Sequence, residues 1–350
     1  MKRPNLKMRV GTFLAIIFHW VLVTAVVGQS APSPPAEQNP TFHTGTSLVL
    51  LDIFTVDSKT GLPLNKLKRE DFQVSEDGKP VAIETFDSGV RYDTRPITLW
   101  LVMLCNMLDY SDLQSGKFAG KMNLYRPALD HLDKHDLVGV ASWCDNGESA
   151  IELQPTQNYD QVIASSEKAL AKRPFKNPFC DPMLGNRAKT CPGERALREI
   201  MQKILQNTRE SKPERVPVMV FLYGDHSGMP EKAVDEMVDD VLETSGVVFG
   251  ITDITVGPSQ SHWNRSQERG AIIHYIVAET GGQYFSVPEN LYGTALESIL
   301  MQLHFRYELG FKPSAVDGKR HAVQVELVGS AKEQYGTARL RYRPEYIPTP

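Results

Sequence analysis

The 350-residue chain contains 41% hydrophobic and 23% charged residues, a balance typical of a globular protein rather than a disordered or fibrous one. Its 38 basic and 42 acidic residues give a net charge of −4, and no basic stripe with interleaved aromatic residues occurs. Because a surface of this sign repels a phosphate backbone, no nucleic-acid partner is predicted. The length allows either one large domain together with a small one or two domains of medium size.

Residues 1–28 have the organisation of a secretory signal peptide. A basic start precedes the apolar run Phe13–Val27, which ends in small residues at Gly28. This run is shorter than the roughly 20 residues of a membrane-spanning helix, and His19 interrupts it. We therefore predict cleavage after Gly28, no stable membrane span in the mature protein, and export to the periplasm, the cell surface or the medium. An uncleaved membrane anchor is the alternative.

A small β unit is predicted after a Pro-, Ser- and Gln-rich linker over residues 29–42. In residues 43–92, the stretch "TSLVLLDIFTVD" is rich in β-branched and aliphatic residues, which favours a strand. The stretch "DFQVSEDGKPVAIETF" has the pattern of two strands joined by a type I′ turn at Asp77-Gly78.

Strands alternate with helices over residues 93–304. The strand candidates are the apolar runs "ITLWLVML", "DLVGVASWC", "VPVMVFLYG" and "VVFGITDI", with "SAIELQP" as an edge strand and "QYFSV" as a short sixth strand. Amphipathic helices separate them: "ERALREIMQKILQNT" has apolar residues at helical spacing, and "EKAVDEMVDDVLETSG" closes on Gly246 as a C-cap. This pattern predicts an α/β domain with a doubly wound, mostly parallel six-stranded sheet covered by helices on both faces.

The last part of the chain, residues 305–346, returns to alternating strands in "RYELGFKP", "KRHAVQVELVG" and "TARLRYRPEY". Neither these strands nor those of residues 43–92 can close a core alone. We therefore predict that the two sets pair in a smaller β-sandwich into which the parallel-sheet domain is inserted.

These segments resemble a von Willebrand factor type A domain, in which "PITLWLVMLCN" is similar to the first strand and "TSGVVFGIT" to the fifth. The mature chain is also similar to the VWFA-related proteins first catalogued from acidobacterial genomes. The matching pieces are "TSLVLLDIFTVDSKTGLPLNKLKREDFQVSEDGKP", "AETGGQYFSV" and "FRYELGFKPSAVDGKRHAVQVELV", which span most of residues 43–345. The resemblance implies an exported protein of the type A fold with no defined reaction, and it names no ligand.

Type A domains hold a divalent metal beyond the carboxyl ends of their strands, through Asp-x-Ser-x-Ser, a loop Thr and a later Asp. Here the three positions of the first motif fall, depending on a one-residue shift, on Cys105 or Asn106, Met107 or Leu108, and Asp109 or Tyr110. A thiol is a soft ligand, and Met and Leu offer no oxygen to a hard cation. The resemblance therefore implies a degenerate metal site, and we predict no metal and no other cofactor.

A different cation site is the alternative, because Ca²⁺ tolerates irregular geometry and Mg²⁺ also takes carboxylate oxygens. Its candidate ligands are Asp109, Asp112, Asp145 and Asp225. We favour the interpretation that these acids are solvated and form turns.

Four cysteines lie in the exported part of the chain: Cys105, Cys144, Cys180 and Cys191. An even number in an oxidising compartment favours disulfides. In the type A fold Cys105 and Cys144 end neighbouring strands about 4.8 Å apart, within the Cα range of about 4.4–6.8 Å that a disulfide spans. We expect one bond between this pair and another between Cys180 and Cys191. Two buried free thiols with one surface bridge are the alternative.

The predicted function is that of a non-enzymatic, exported interaction or adhesion module that binds another protein or a cell-surface polymer. Its binding face is the strand-tip rim, which we define as Asn106, Asp109, Tyr110, Trp143, Asp145, Asp225 and His226. Aromatic side chains on such a rim would be the anchors that interfaces favour. The alternatives are an exported metal-dependent hydrolase that uses the acidic residues at the strand tips, and a scaffold part of an envelope complex without a ligand pocket.

Overall fold

A computed structural model describes residues 48–88, 95–105, 120–144, 146–172, 192–211, 215–222, 231–252 and 272–348. The strands of these ranges are β1 (Val49–Val56), β2 (Phe72–Glu76), β3 (Lys79–Val81), β4 (Ile83–Asp87), β5 (Ile97–Leu104), β6 (Leu137–Trp143), β7 (Ser149–Thr156), β8 (Val216–Leu222), β9 (Val247–Thr252), β10 (Tyr284–Ser286), β11 (Tyr307–Phe311), β12 (His321–Leu327), β13 (Arg339–Arg341) and β14 (Glu345–Tyr346). The helices are α1 (Arg126–Leu129), α2 (Tyr159–Leu170), α3 (Pro192–Arg209), α4 (Glu231–Glu243), α5 (Ile272–Glu279), α6 (Tyr292–His304) and α7 (Gly329–Tyr335).

The central sheet has six strands in the order β10-β9-β8-β5-β6-β7. The pairs along it are parallel except for β6 with β7, which is antiparallel. From β5 the chain builds outward through β6 and β7, and then returns to the other side of β5 to add β8, β9 and β10. This confirms the predicted doubly wound sheet, whose strand order reverses between β5 and β8.

Each face of this sheet carries its own apolar core. All eight residues of β5 are buried, and their side chains alternate between the two faces because successive Cβ atoms of a strand point in opposite directions. Leu99 and Leu101 face the core under α2 and α6, while Trp100 and Val102 face the core under α3, α4 and α5. Gly139 is required opposite Trp100, since a Cβ there would lie 2.5 Å from the indole ring.

The remaining strands form two four-stranded sheets, in the orders β13-β1-β11-β4 and β14-β12-β2-β3. Each sheet combines strands from before and after the central domain, as β1 pairs with β11 and β2 pairs with β12, both antiparallel. Their inner faces share one core that includes Ile53, Phe72, Tyr307 and Phe311. The predicted sandwich, built from both ends of the chain, is therefore confirmed.

The structure also corrects local predictions. Asp77 and Gly78 have φ angles of 47° and 76°, which confirms the type I′ turn, but two short strands, β3 and β4, follow it instead of one. The turn after α4 places Ser245 rather than Gly246 in the left-handed region, with φ 52°, while the Gly246 amide donates to the Val241 carbonyl at 3.0 Å. Helix α7 was not predicted, because only Ala331 of its seven residues is buried and no apolar repeat marks it.

A buried guanidinium joins the sandwich to the central domain. Arg306, which is 3% exposed, follows α6 and precedes β11. Its Nε donates to Asp52 Oδ1 on β1 at 2.9 Å, its Nη1 to the Leu303 carbonyl at 2.7 Å, and its Nη2 to the Arg95 carbonyl at 3.0 Å. Because a buried charge is tolerated only when it is paired and hydrogen-bonded, this arrangement accounts for a charged side chain at the junction.

A second charged cluster lies in the sandwich, around His321 at the start of β12. The imidazole lies between two carboxylates, with Nδ1 2.8 Å from Asp77 Oδ2 and Nε2 3.1 Å from Asp317 Oδ1. The hydrogen bond to Asp77, and then that to Asp317, raises the pKa of His321 above its ordinary value. Only the protonated ring donates to both carboxylates, so folding favours the charged form.

We predict that His321→Asn destabilises the protein in a pH-dependent manner. Because the pKa of His321 is raised in the folded state, its contribution is fully present below the unfolded pKa of about 6.5 and is lost as the pH rises through the folded pKa. Urea unfolding should show a larger loss of unfolding free energy at pH 5.5 than at pH 8.5. The exposed His135→Asn variant is the control, and an equal loss for His321→Asn at both pH values would contradict the assignment.

Candidate functional site

The candidate site lies at the edge of the central sheet where the parallel strands end. β5 ends at Leu104, β6 at Trp143 and β8 at Leu222. In open α/β sheets the ligand crevice lies outside the carboxyl ends of the strands at the point where the strand order reverses. In this chain that point falls between the ends of β5 and β8.

A disulfide joins the ends of the two neighbouring strands β5 and β6. Cys105 and Cys144 are bonded, their Cα atoms are 4.8 Å apart, and their sequence separation is 39. The Cys105 amide donates to the Trp143 carbonyl at 2.9 Å, which continues the strand pairing up to the bridge. Both cysteines are buried. The predicted Cys105–Cys144 bond is confirmed.

The prediction that Trp143 is an exposed anchor of the rim is wrong. Its side chain is fully buried and belongs to the core that β5 and β6 share with α3, α4 and α5. Side chains alternate along β6, so Trp143 points to the same face as Ala141, toward the helices. The aromatic residue at the end of β6 therefore stabilises the sheet and offers no surface to a partner.

The other predicted site residues lie outside the described ranges. These are Asn106, Asp109, Tyr110, Asp112, Asp145, Cys180, Cys191, Asp225 and His226. The Cys180–Cys191 bond, the acidic rim and the alternative cation site therefore stay predictions. Within the described ranges, no group of three or more His, Cys, Asp or Glu residues is placed to hold a metal ion.

Next to the end of β6, a polar cluster links β6, β7 and the residues that follow α2. Ser142 Oγ and Lys172 Nζ both donate to Glu152 Oε1, and the two donor atoms are 3.5 Å apart. A Ser–Lys nucleophile would need the lysine to accept the serine proton. Here the lysine is ion-paired and the serine proton is directed at the carboxylate, so this cluster is a structural ion pair. Sequence reasoning missed it, because its members are 10 to 30 residues apart.

The strand order decides the fold of the central domain. Numbered from β5, the order is 3-2-1-4-5-6, the doubly wound arrangement, with the third strand antiparallel at the edge. The central domain therefore has a doubly wound, Rossmann-like fold, the fold class that the resemblance to von Willebrand factor type A domains implies. None of the helices in the described part of the chain is long and apolar enough to span a bilayer.

Comparisons with solved structures return proteins of low similarity to this chain. BatB, a conserved hypothetical protein from Bacteroides thetaiotaomicron, is 14% identical over 59% of this chain and 97% of that chain, with a TM-score of 0.37. A von Willebrand factor type A protein from Catenulispora acidiphila is 10% identical over 88% and 75% of the two chains, with a TM-score of 0.36. Proximal thread matrix protein 1 from the mussel byssus is 8% identical over 60% and 49%, with a TM-score of 0.39.

No protein-family model matches the sequence, and no curated protein matches it. The fold assignment therefore depends on strand order and register.

Removal of the bridge by a Cys105→Ala/Cys144→Ala double substitution should lower the unfolding free energy by about 3–4 kcal/mol, since the bond closes a chain segment with a sequence separation of 39 residues. Urea unfolding of the oxidised protein measures this loss. A Cys180→Ala/Cys191→Ala variant, whose predicted loop is much shorter, should lose less. An unchanged unfolding free energy in the first variant would show that the bond does not hold the strand ends.

Proposed function

We propose that the protein is an exported, non-enzymatic module that binds another protein or a cell-surface polymer through the strand-tip rim. After the exclusion of Trp143, the proposed rim consists of Asn106, Asp109, Tyr110, Asp145, Asp225 and His226. The observation that carries the proposal is the disulfide at this edge of the sheet.

The bridge removes the residues that follow β5 and β6, Cys105 and Cys144, from any ligand set. According to the resemblance, Cys105 occupies either the position of the first metal-binding aspartate or the position just before it. Its sulfur is bonded to Cys144. The end of β5 therefore supplies neither a carboxylate nor a thiolate to a cation. The positions that follow in the sequence, Met107 and Leu108, add no oxygen ligand. A rim without a central metal can still bind a partner through its own charges and aromatic groups.

The charge of the proposed rim indicates the chemistry of the partner. Asp109, Asp145 and Asp225 follow strands that end at the same edge of the sheet. Charge complementarity mainly sets the rate and the specificity of association. We therefore infer a partner with a basic or hydrogen-bond-donating surface.

Export is supported by two independent features of the chain. The sequence of residues 1–28 has the form of a signal peptide. Disulfides such as Cys105–Cys144 form and persist in oxidising compartments and are rare in the cytosol.

Cross-linking in the intact cell envelope tests the proposal. We expect an amine-reactive cross-linker to capture a defined partner with the unaltered protein. The Asp225→Lys variant should lose this adduct, because the reversed charge repels a basic partner, while Glu84→Lys on β4 of the sandwich should retain it. Mass spectrometry of the adducts gives the readout.

Two outcomes would contradict the proposal. Recovery of the protein without a cross-linked partner would contradict the expectation that it binds one. Equal capture of a partner by Asp225→Lys and Glu84→Lys would place the interaction away from the rim. The hydrolase alternative predicts instead that Asp225→Lys abolishes a metal-dependent activity.

A further inference from the structure

A cavity of about 400 Å³ lies at the opposite edge of the central sheet from the rim, where the strands β5, β8 and β9 begin. Its wall includes Arg95 before β5, Arg215 before β8 and Ser245 before β9. The sandwich closes it with Leu50 of β1 and with Arg343, which lies between β13 and β14. The cavity has the size of a small-molecule site.

The charge on the cavity wall is strongly positive although the whole chain is acidic. Four arginines line it, and the only acid among the lining residues is Glu243. Arg209 is paired with Glu243 at 3.4 Å, and Arg95 with Glu308 at 2.7 Å. Within the described ranges, Arg215 and Arg343 form no ion pair with a carboxylate. Asp136 and Asp52 act on Arg215 and Arg343, respectively, from beyond ion-pair distance, so within the described ranges neither guanidinium has a carboxylate in contact.

Arg343 is the more deeply buried of the two, at 8% exposure. Its Nη2 donates to the Leu50 carbonyl at 2.7 Å, and its Nη1 donates to the Leu242 carbonyl at 3.1 Å and to Ser245 Oγ at 3.3 Å. Its Nε has no hydrogen-bond partner in the described residues. Burial lowers the pKa of Arg343 to about 10, so the side chain remains charged at neutral pH.

The contrast with Arg306 shows what is missing at Arg343. Both side chains are buried at the junction between the sandwich and the central domain, but Arg306 has the carboxylate of Asp52 at 2.9 Å. The oxygens that accept from the two Nη atoms of Arg343 are neutral, and its Nε has no partner in the described residues. Removing a charge from water without an ion pair is costly, so an anion in the cavity would lower the free energy of the folded state.

Arg215 provides the second positive group. One of its terminal nitrogens, Nη1, donates to the carbonyls of Ile97 and His135. A guanidinium has five N–H donors in a fixed planar arrangement, so donors remain for a ligand. The parallel N–H donors of a guanidinium match the spacing of the oxygen atoms in a carboxylate or phosphate group.

We propose that this cavity binds an oxyanion, the carboxylate or phosphate group of a small molecule, through the arginines of its wall, above all Arg215 and Arg343. This site is separate from the strand-tip rim and does not depend on the proposed function. The hydroxyl group of Ser245 lies at the same wall and adds a neutral hydrogen-bonding group.

Isothermal titration calorimetry of the mature protein tests the proposal with two probes, inorganic phosphate and succinate. Each titration is compared with a titration of chloride at the same ionic strength. We expect one site per chain for at least one probe, and the probe that binds identifies the anionic group. The Arg215→Gln variant should weaken this binding by about tenfold or more, because glutamine replaces a charged hydrogen-bond donor with a neutral one. Arg343→Gln should weaken it further where that variant folds.

The control is Arg198→Gln, since Arg198 is ion-paired with Glu236 on α4 at 2.6 Å and does not line the cavity. It should bind the probe as the unaltered protein does. Absence of binding by both probes would overturn the proposal. Equal weakening in Arg215→Gln and Arg198→Gln, or binding that chloride abolishes at matched ionic strength, would also overturn it.

Discussion

The covalent bond between Cys105 and Cys144 fixes the ends of β5 and β6 to each other at the edge of the sheet where a ligand crevice is expected. β5 is the central strand from which both halves of the sheet extend, so its end is the reference point for that edge. A closure of this size contributes about 3–4 kcal/mol, a large part of the roughly 5–15 kcal/mol by which a domain is stable. In the account proposed above, a sulfur bridge rather than a cation holds the strand ends at this edge of the sheet.

Arginines dominate the junction between the sandwich and the central domain. Arg306 follows α6 and is paired with Asp52 of β1, which ties the exit of the central domain to the first strand of the sandwich. Arg320 makes a similar connection from the sandwich to α4 through Asp239, at 2.6 Å. These pairs complete a junction that the main chain crosses between α6 and β11. Arg343 differs because it lines a cavity and has no ion pair with a carboxylate in the described ranges.

Much of the fold was predictable because burial leaves a periodic signal in the sequence. A strand buried on both faces, such as β5, appears as an unbroken apolar run, and the helices that cover it show apolar residues at helical spacing. The type I′ turn was predictable because Asp77-Gly78 accepts positive φ angles at both positions. The pairing of the strands of residues 43–92 with those of residues 305–346 was predictable because neither set can close a core alone.

The features that sequence reasoning missed depend on contacts between distant residues. Trp143 was assigned to the rim because it ends a strand, but its orientation depends on the face to which β6 presents it. Ser245 adopts the left-handed turn, and its hydroxyl accepts a hydrogen bond from Arg343, 98 residues away. The arginine cavity has no sequence motif, since its walls come from the starts of three strands and from both ends of the sandwich.

A crystal structure of the mature protein soaked in Mn²⁺, with anomalous data collected at the manganese edge, tests most directly whether a bridge rather than a cation holds the strand tips. The account predicts continuous electron density between the sulfur atoms of Cys105 and Cys144 and no anomalous peak at the ends of β5 and β8. A manganese ion coordinated by Asp109, Asp145 or Asp225, or two separate thiols, would contradict it.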